Sequence, residues 1–173
     1  MDKLSLYRKL LENGNWQTGE KNLPKKVANW LLHSDSLTQK LQSICDNLKV
    51  EITQQGWQAV RSSQAFAKND ENHTAWLREV ILKGDEQDWI FAQTILPKQT
   101  IEMVASPVLE LGENPIGLWL FPQQPARISL EWCFDTATKL YARRSLLSLN
   151  GYPLAIYELF LPKFSFEPCD IKE

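Results

Sequence analysis

The chain has 173 residues, 43% of them hydrophobic and 23% charged, with seven Trp and seven Phe. That balance describes one globular domain over residues 1–173 with a continuous apolar core, and it excludes a disordered chain. A formal net charge of -2 offers no one-signed basic field for nucleic-acid phosphates, and the pair Lys25 and Lys26 reads as a solvated helix end.

The N-terminal segment MDKLSLYRKLLENGN predicts an amphipathic helix, with Leu4, Leu6, Tyr7, Leu10 and Leu11 at helical spacing and Gly14 and Gly19 ending it. It has neither the apolar run nor the cleavage site of a secretory leader. No window approaches the roughly 18 apolar residues of a membrane span, so a cytoplasmic protein without membrane insertion is expected. A second helix begins after Pro24 with VANWLL. Ser34, Asp35 and Ser36 then break the pattern, and Asp35 or Ser36 caps a third helix from Leu37 to about Asn47, with Leu37, Leu41, Ile44 and Leu48 on its apolar face.

From Val50 the texture changes. VEITQQGW, AWLREVIL, DWIFAQTILP, RISLEWCF, YARRSLLSL and PLAIYELFLP are rich in β-branched and aromatic residues and bounded by turn formers, which predicts six strands. Residues 76–82 pair with 89–97 across KGDEQD, and 142–149 pair with 154–161 across Asn150-Gly151-Tyr152-Pro153. Adjacent hairpins mean an antiparallel sheet. Between them, IEMVASPVLELGENPIGLWLF holds one short helix, a turn and a second apolar segment. The fold class is α+β, helices against one broad antiparallel sheet.

Two charges stand on otherwise apolar strand faces. Alternation in AWLREVIL puts Arg78 with Trp76, Val80 and Leu82. A buried guanidinium keeps its proton and needs an anion, either an internal carboxylate or a ligand, and by sequence alone the internal salt bridge is the commoner arrangement. In PLAIYELFLP, Glu158 shares a face with Ile156 and Phe160. Desolvation there raises a carboxyl pKa unless a cation is close, which suits a general acid or base. A structural partner is also available: a two-residue turn at Asn150-Gly151 sets Arg143 opposite Glu158, and a longer turn brings Arg144 there instead.

The remaining residue types are plain. His33 and His73 sit in polar settings and read as surface histidines, and Gly84, Gly112, Gly117 and Gly151 read as isolated turn glycines rather than a phosphate-cradling loop. Cys45, Cys133 and Cys169 are odd in number and far apart, so neither a disulfide framework nor a metal site is expected.

Four segments in order resemble the chorismate lyase family: WLLHSDSLTQKL, WLREVIL, LGENPIGLWLF and ARRSLLSLNGYPLAIYELFLP. The likeness spans residues 25–165. It implies a six-stranded antiparallel sheet with a ligand enclosed beneath helical flaps. It also implies ligand contacts at Leu37, Arg78, Ile116 and Glu158, those at Leu37 and Ile116 largely through backbone amides. The implied reaction is cofactor-free and metal-free cleavage of chorismate to 4-hydroxybenzoate and pyruvate, towards ubiquinone, by a cytoplasmic monomer, with Arg78 and Glu158 as the catalytic pair. A related fold serves as the effector-binding domain of bacterial repressors, so a binding module without catalysis is the alternative. Such repressors carry a basic helix-turn-helix domain ahead of that fold, and the first 50 residues here contain no basic recognition helix.

Overall fold

A computed structural model describes residues 2–59 and 74–167; His73 and Cys169 lie outside them. Helix α1 (Lys3–Glu12) starts where the Asp2 carboxylate accepts a hydrogen bond from the Ser5 amide at 2.8 Å, satisfying one of the amides a helix start leaves over. Helix α2 (Lys25–Leu31) follows Pro24, and Ser36 caps α3 (Leu37–Gln42) by accepting from the Gln39 amide. The third helix is shorter than its apolar spacing predicts. Past Ser43 the chain is captured by the Asp85 carboxylate, which accepts from the amides of Asp46 and Asn47 at 3.0 and 2.9 Å. Leu48, expected on the helix face, instead begins strand β1 (Leu48–Ala59).

The other strands are β2 (Thr74–Gly84), β3 (Gln87–Pro97), β4 (Ala126–Asp135), β5 (Leu140–Leu149) and β6 (Tyr152–Phe160). They form one six-stranded sheet in the order β1-β2-β3-β6-β5-β4, with every neighbouring pair antiparallel. Both expected hairpins are present, with turns at Asp85-Glu86 and Asn150-Gly151. All four turn residues have positive φ, as the two-residue turn that matches strand twist requires. Gly84 is not a turn glycine but the last residue of β2. A Cβ there would fall 2.2 Å from the Trp89 ring, so glycine is what lets that indole lie across the strand.

The region between the hairpins is more broken than expected. Helix α4 (Lys98–Thr100) runs through a π turn (Ile101–Ala105) into a 3-10 turn (Ser106–Glu110), where Pro107 lacks the amide a regular helix needs. Helix α5 (Ile116–Leu120) follows.

Strand alternation gives the sheet two apolar faces. On one, Leu10 and Leu11 of α1 pack with Phe91, Ile95 and Leu159. Cys133 is buried on this face, where desolvation pushes its thiol up to about 11, and both Cys45 and Cys133 are free thiols. The opposite face carries two separate clusters. Trp30, Leu31 and Leu41 cover Leu82, Ile90 and Phe160, while Ile101, Val108 and Leu120 cover Leu96, Leu147 and Ile156. Each such side chain stabilises the fold by about 1.5–3 kcal/mol. The seam between these two clusters holds the site.

Candidate active site

Two rows of the sheet cross the seam. Arg78, Thr94, Ile156 and Ser145 are successive partners across β2, β3, β6 and β5, and one row along come Val80, Ala92, Glu158 and Arg143. Above them lies a partly enclosed cavity. Its floor is Arg78, Val80, Ala92, Thr94, Ile156 and Glu158, and its lid is Leu37 and Thr38 of α3 with Pro115, Ile116 and Gly117 at the start of α5. Leu37, Arg78, Ile116 and Glu158 thus share one cavity, although 121 residues separate the first from the last. Gly117 serves the lid rather than a turn. A Cβ there would fall 2.7 Å from Thr38 Oγ1, so its absence lets α5 approach α3.

Arg78 is 2% exposed. Its Nη2 donates to the Asn114 carbonyl at 2.8 Å, tying the loop ahead of α5 to the sheet, and its Nη1 has no acceptor. Among the described residues no carboxylate pairs with it, so the internal salt bridge expected for a buried arginine is missing. Burial lowers its pKa with no counter-charge opposing the effect. A guanidinium nonetheless stays protonated at neutral pH, and Arg78 therefore presents a positive charge without a carboxylate partner to the cavity.

Glu158 is 8% exposed and has a partner: Arg143 Nε donates to its Oε1 at 2.7 Å. This is the arrangement predicted for a two-residue turn. Arg143 Nη1 also donates to the carbonyls of His33 at 2.9 Å and Leu31 at 3.3 Å, closing the C-terminal end of α2, where unpaired carbonyls favour a cation. Arg144 points to the other face, bonded to Glu131 at 2.6 Å and lying over the Trp16 ring. His33 is half-buried rather than on the open surface, and burial, with the charges of Lys40 and Arg143, lowers its pKa.

Arg127 on β4 carries no signal in the sequence. Its Nη1 donates to Ser145 Oγ at 2.5 Å and its Nη2 to the Ser34 carbonyl at 3.1 Å. A bulge between Arg127 and Ser129 breaks the alternation that would have marked its face. Among the described residues, no three of His, Cys, Asp and Glu come together as metal ligands, and no helix is long and apolar enough to cross a membrane.

The family model for chorismate lyase matches residues 10–167. The chain belongs to the chorismate lyase family. It is 37% identical over 145 residues to the chorismate pyruvate-lyase of Pectobacterium carotovorum subsp. carotovorum (strain PC1), covering 82% of this chain and 80% of that one. With the chorismate pyruvate-lyase of Pectobacterium atrosepticum it shares 35% over 159 residues, covering 89% and 88%. Among solved structures, the effector domain of PhnF from Mycobacterium smegmatis matches with a TM-score of 0.50 at 13% identity, covering 73% of this chain and 87% of that one. A Staphylococcus aureus gene product matches at 0.51 and 10%, covering 75% and 90%. Likeness at these identities shows a shared fold alone. The chorismate lyase match reaches from the end of α1 past β6 and so takes in every strand.

Proposed function

We propose that this chain converts chorismate into 4-hydroxybenzoate and pyruvate, the first step towards ubiquinone, in the cytosol and as a monomer. The observation that carries the reading is Arg78, a buried guanidinium with a free Nη1 and no carboxylate partner, facing a cavity that also holds Glu158. Family membership supplies the substrate: chorismate pyruvate-lyase is the activity named for its relatives.

Chorismate brings a ring carboxylate, a ring hydroxyl and an enolpyruvyl ether with a second carboxylate. In the reaction the ring carbon–oxygen bond of the ether breaks, its electron pair leaves with the enolpyruvate oxygen, and a neighbouring ring proton departs. The ring becomes aromatic, and the released enol takes up a proton to become pyruvate. Much of the driving force therefore lies in the substrate. Arg78 anchors the ring carboxylate through its planar fork. Glu158 accepts a hydrogen bond from the ring hydroxyl and assists proton removal, held in place by Arg143. The first turns of α3 and α5 leave amides without intrahelical acceptors, and those near Leu37 and Ile116 complete the polar contacts. Leu37, Val80, Leu82 and Phe121 exclude water around them.

Purified protein incubated with chorismate should release 4-hydroxybenzoate and pyruvate in equal amounts. The fold shared with the PhnF effector domain favours a second reading, a binding module without catalysis. In that case chorismate would remain unchanged, and an isomerase would consume it without forming pyruvate.

A further inference from the structure

A dianionic substrate presents two carboxylates to a cavity in which Arg78 meets one. We infer that Arg127 is the second anion-binding residue of the site and holds the carboxylate of the enolpyruvyl group. The inference rests on the lyase reading above and extends it to substrate selection.

The cations near the cavity can be taken in turn. Arg143 is occupied by Glu158 and by the carbonyls at the end of α2. Arg144 lies on the far face with Glu131. Lys40 bonds the Asn29 carbonyl and sits over the Trp30 ring. Arg127 differs from these. Its partners are neutral oxygens, Ser145 Oγ and the Ser34 carbonyl, and among the described residues no carboxylate pairs with it. Two of its five donor hydrogens suffice for those bonds, which leaves capacity for an incoming anion.

Position supports the same assignment. Ser145, over which Arg127 reaches, is on the row of Arg78, with Thr94 and Ile156 between them. Three strand intervals of about 4.8 Å put the two ends of that row about 14 Å apart at the backbone, a gap that two arginine side chains shorten from both sides. Thr94 and Ile156, between those ends, line the cavity, and Glu158 stands in the adjacent row next to Ile156. A ligand with a carboxylate at each end would lie with its reacting carbons near Glu158. The Arg127 guanidinium is also within the electrostatic reach of Arg143, Glu158 and Asp35, none of which forms an ion pair with it.

The product tests this directly, because 4-hydroxybenzoate lacks the second carboxylate. Arg127→Gln should lower kcat/KM for chorismate by about 10- to 100-fold, the worth of a lost charge-assisted hydrogen bond, while leaving 4-hydroxybenzoate affinity unchanged. The dicarboxylate 3-(1-carboxyvinyloxy)benzoate, compared with 4-hydroxybenzoate by calorimetric titration, should be the ligand whose binding weakens. If Arg127 serves only to tie the Ser34 loop, both ligands weaken together, and that result overturns the inference, as does an unchanged kcat/KM. Should the Gln variant not fold, Arg127→Lys reads the same ratio: the dicarboxylate must lose more affinity than the product, and an unchanged ratio refutes the assignment. Wild-type protein that releases no pyruvate from chorismate would bring down the lyase reading and this inference with it, a result distinct from any the variants give.

Discussion

Arg78 and Glu79 are adjacent in sequence, similarly buried and opposite in environment. Glu79 is fully buried on the α1 face, where Arg8 grips it through Nη2 to Oε1 at 2.7 Å and Nε to Oε2 at 3.0 Å, and Thr53 and Gln93 each donate at 2.8 Å. Arg78 on the cavity face has one backbone carbonyl and an unpaired Nη1. One strand thus carries a charge matched by a carboxylate–guanidinium pair next to a charge with no carboxylate partner among the described residues.

The matched charge predicts acid sensitivity. Burial alone would raise the Glu79 pKa, but the hydrogen bonds from Arg8, Gln93 and Thr53 outweigh it and hold the carboxyl below its usual value of 4.5. A pKa lowered in the folded state means the stabilisation is complete above the unfolded value and fades as pH falls through the folded one. Arg8→Ala removes the largest of the contributions that oppose burial, so its stability deficit should be largest near neutrality and narrow as pH falls through the lowered folded-state pKa, below 4.5. Urea unfolding of both proteins between acid and neutral pH reads this, and a deficit constant across pH would contradict it.

Glu158→Gln keeps shape and one acceptor while removing the charge and the capacity to take a proton. Arg143 retains its carbonyl acceptors at and just past the end of α2, so the fold should survive with a loss of about 1–3 kcal/mol. The single-turnover rate should fall by about 100- to 10,000-fold, as expected for a lost acid–base group. A lower melting temperature with a normal rate would make Glu158 only the partner of Arg143.

How much of this was legible in the sequence follows from how local each determinant is. Period-two alternation suffices to place Arg78 and Glu158 on apolar faces, and Asn150-Gly151 fixes the Arg143–Glu158 register because both residues tolerate positive φ. The shortened α3 was not legible, since the acceptor that stops it is Asp85, 39 positions away from Asp46. Arg127 was hidden by its bulge and by partners on β5 and the α2–α3 loop. Gly84 and Gly117 look like turn glycines in isolation, and only packing shows that one makes room for Trp89 and the other for Thr38.

Gly117→Ala should push the lid helices apart. The new Cβ meets Thr38 Oγ1 at 2.7 Å, closer than atoms tolerate, so α5 or Thr38 must shift. Weaker 4-hydroxybenzoate binding with faster dissociation is expected, and adding Thr38→Ala, which removes that oxygen, should restore part of it. Dissociation unaffected by the single substitution would show that contact between the lid helices does not govern closure.

Turnover should persist after exhaustive treatment with EDTA, because among the described residues no set of His, Cys and carboxylate side chains gathers at metal-binding spacing. Activity lost to chelation and restored by a divalent ion would contradict this.

We propose that a ligand carboxylate completes the unpaired charge of Arg78, and titration of 4-hydroxybenzoate into wild-type, Arg78→Ala and Arg78→Lys proteins measures this claim most directly. A carboxylate that loses its charge-assisted hydrogen bonds, each worth about 1.5–3 kcal/mol, should bind Arg78→Ala at least 10-fold more weakly, and Lys, lacking the planar fork, should recover little. A folded Arg78→Ala protein that binds 4-hydroxybenzoate with wild-type affinity would contradict the claim.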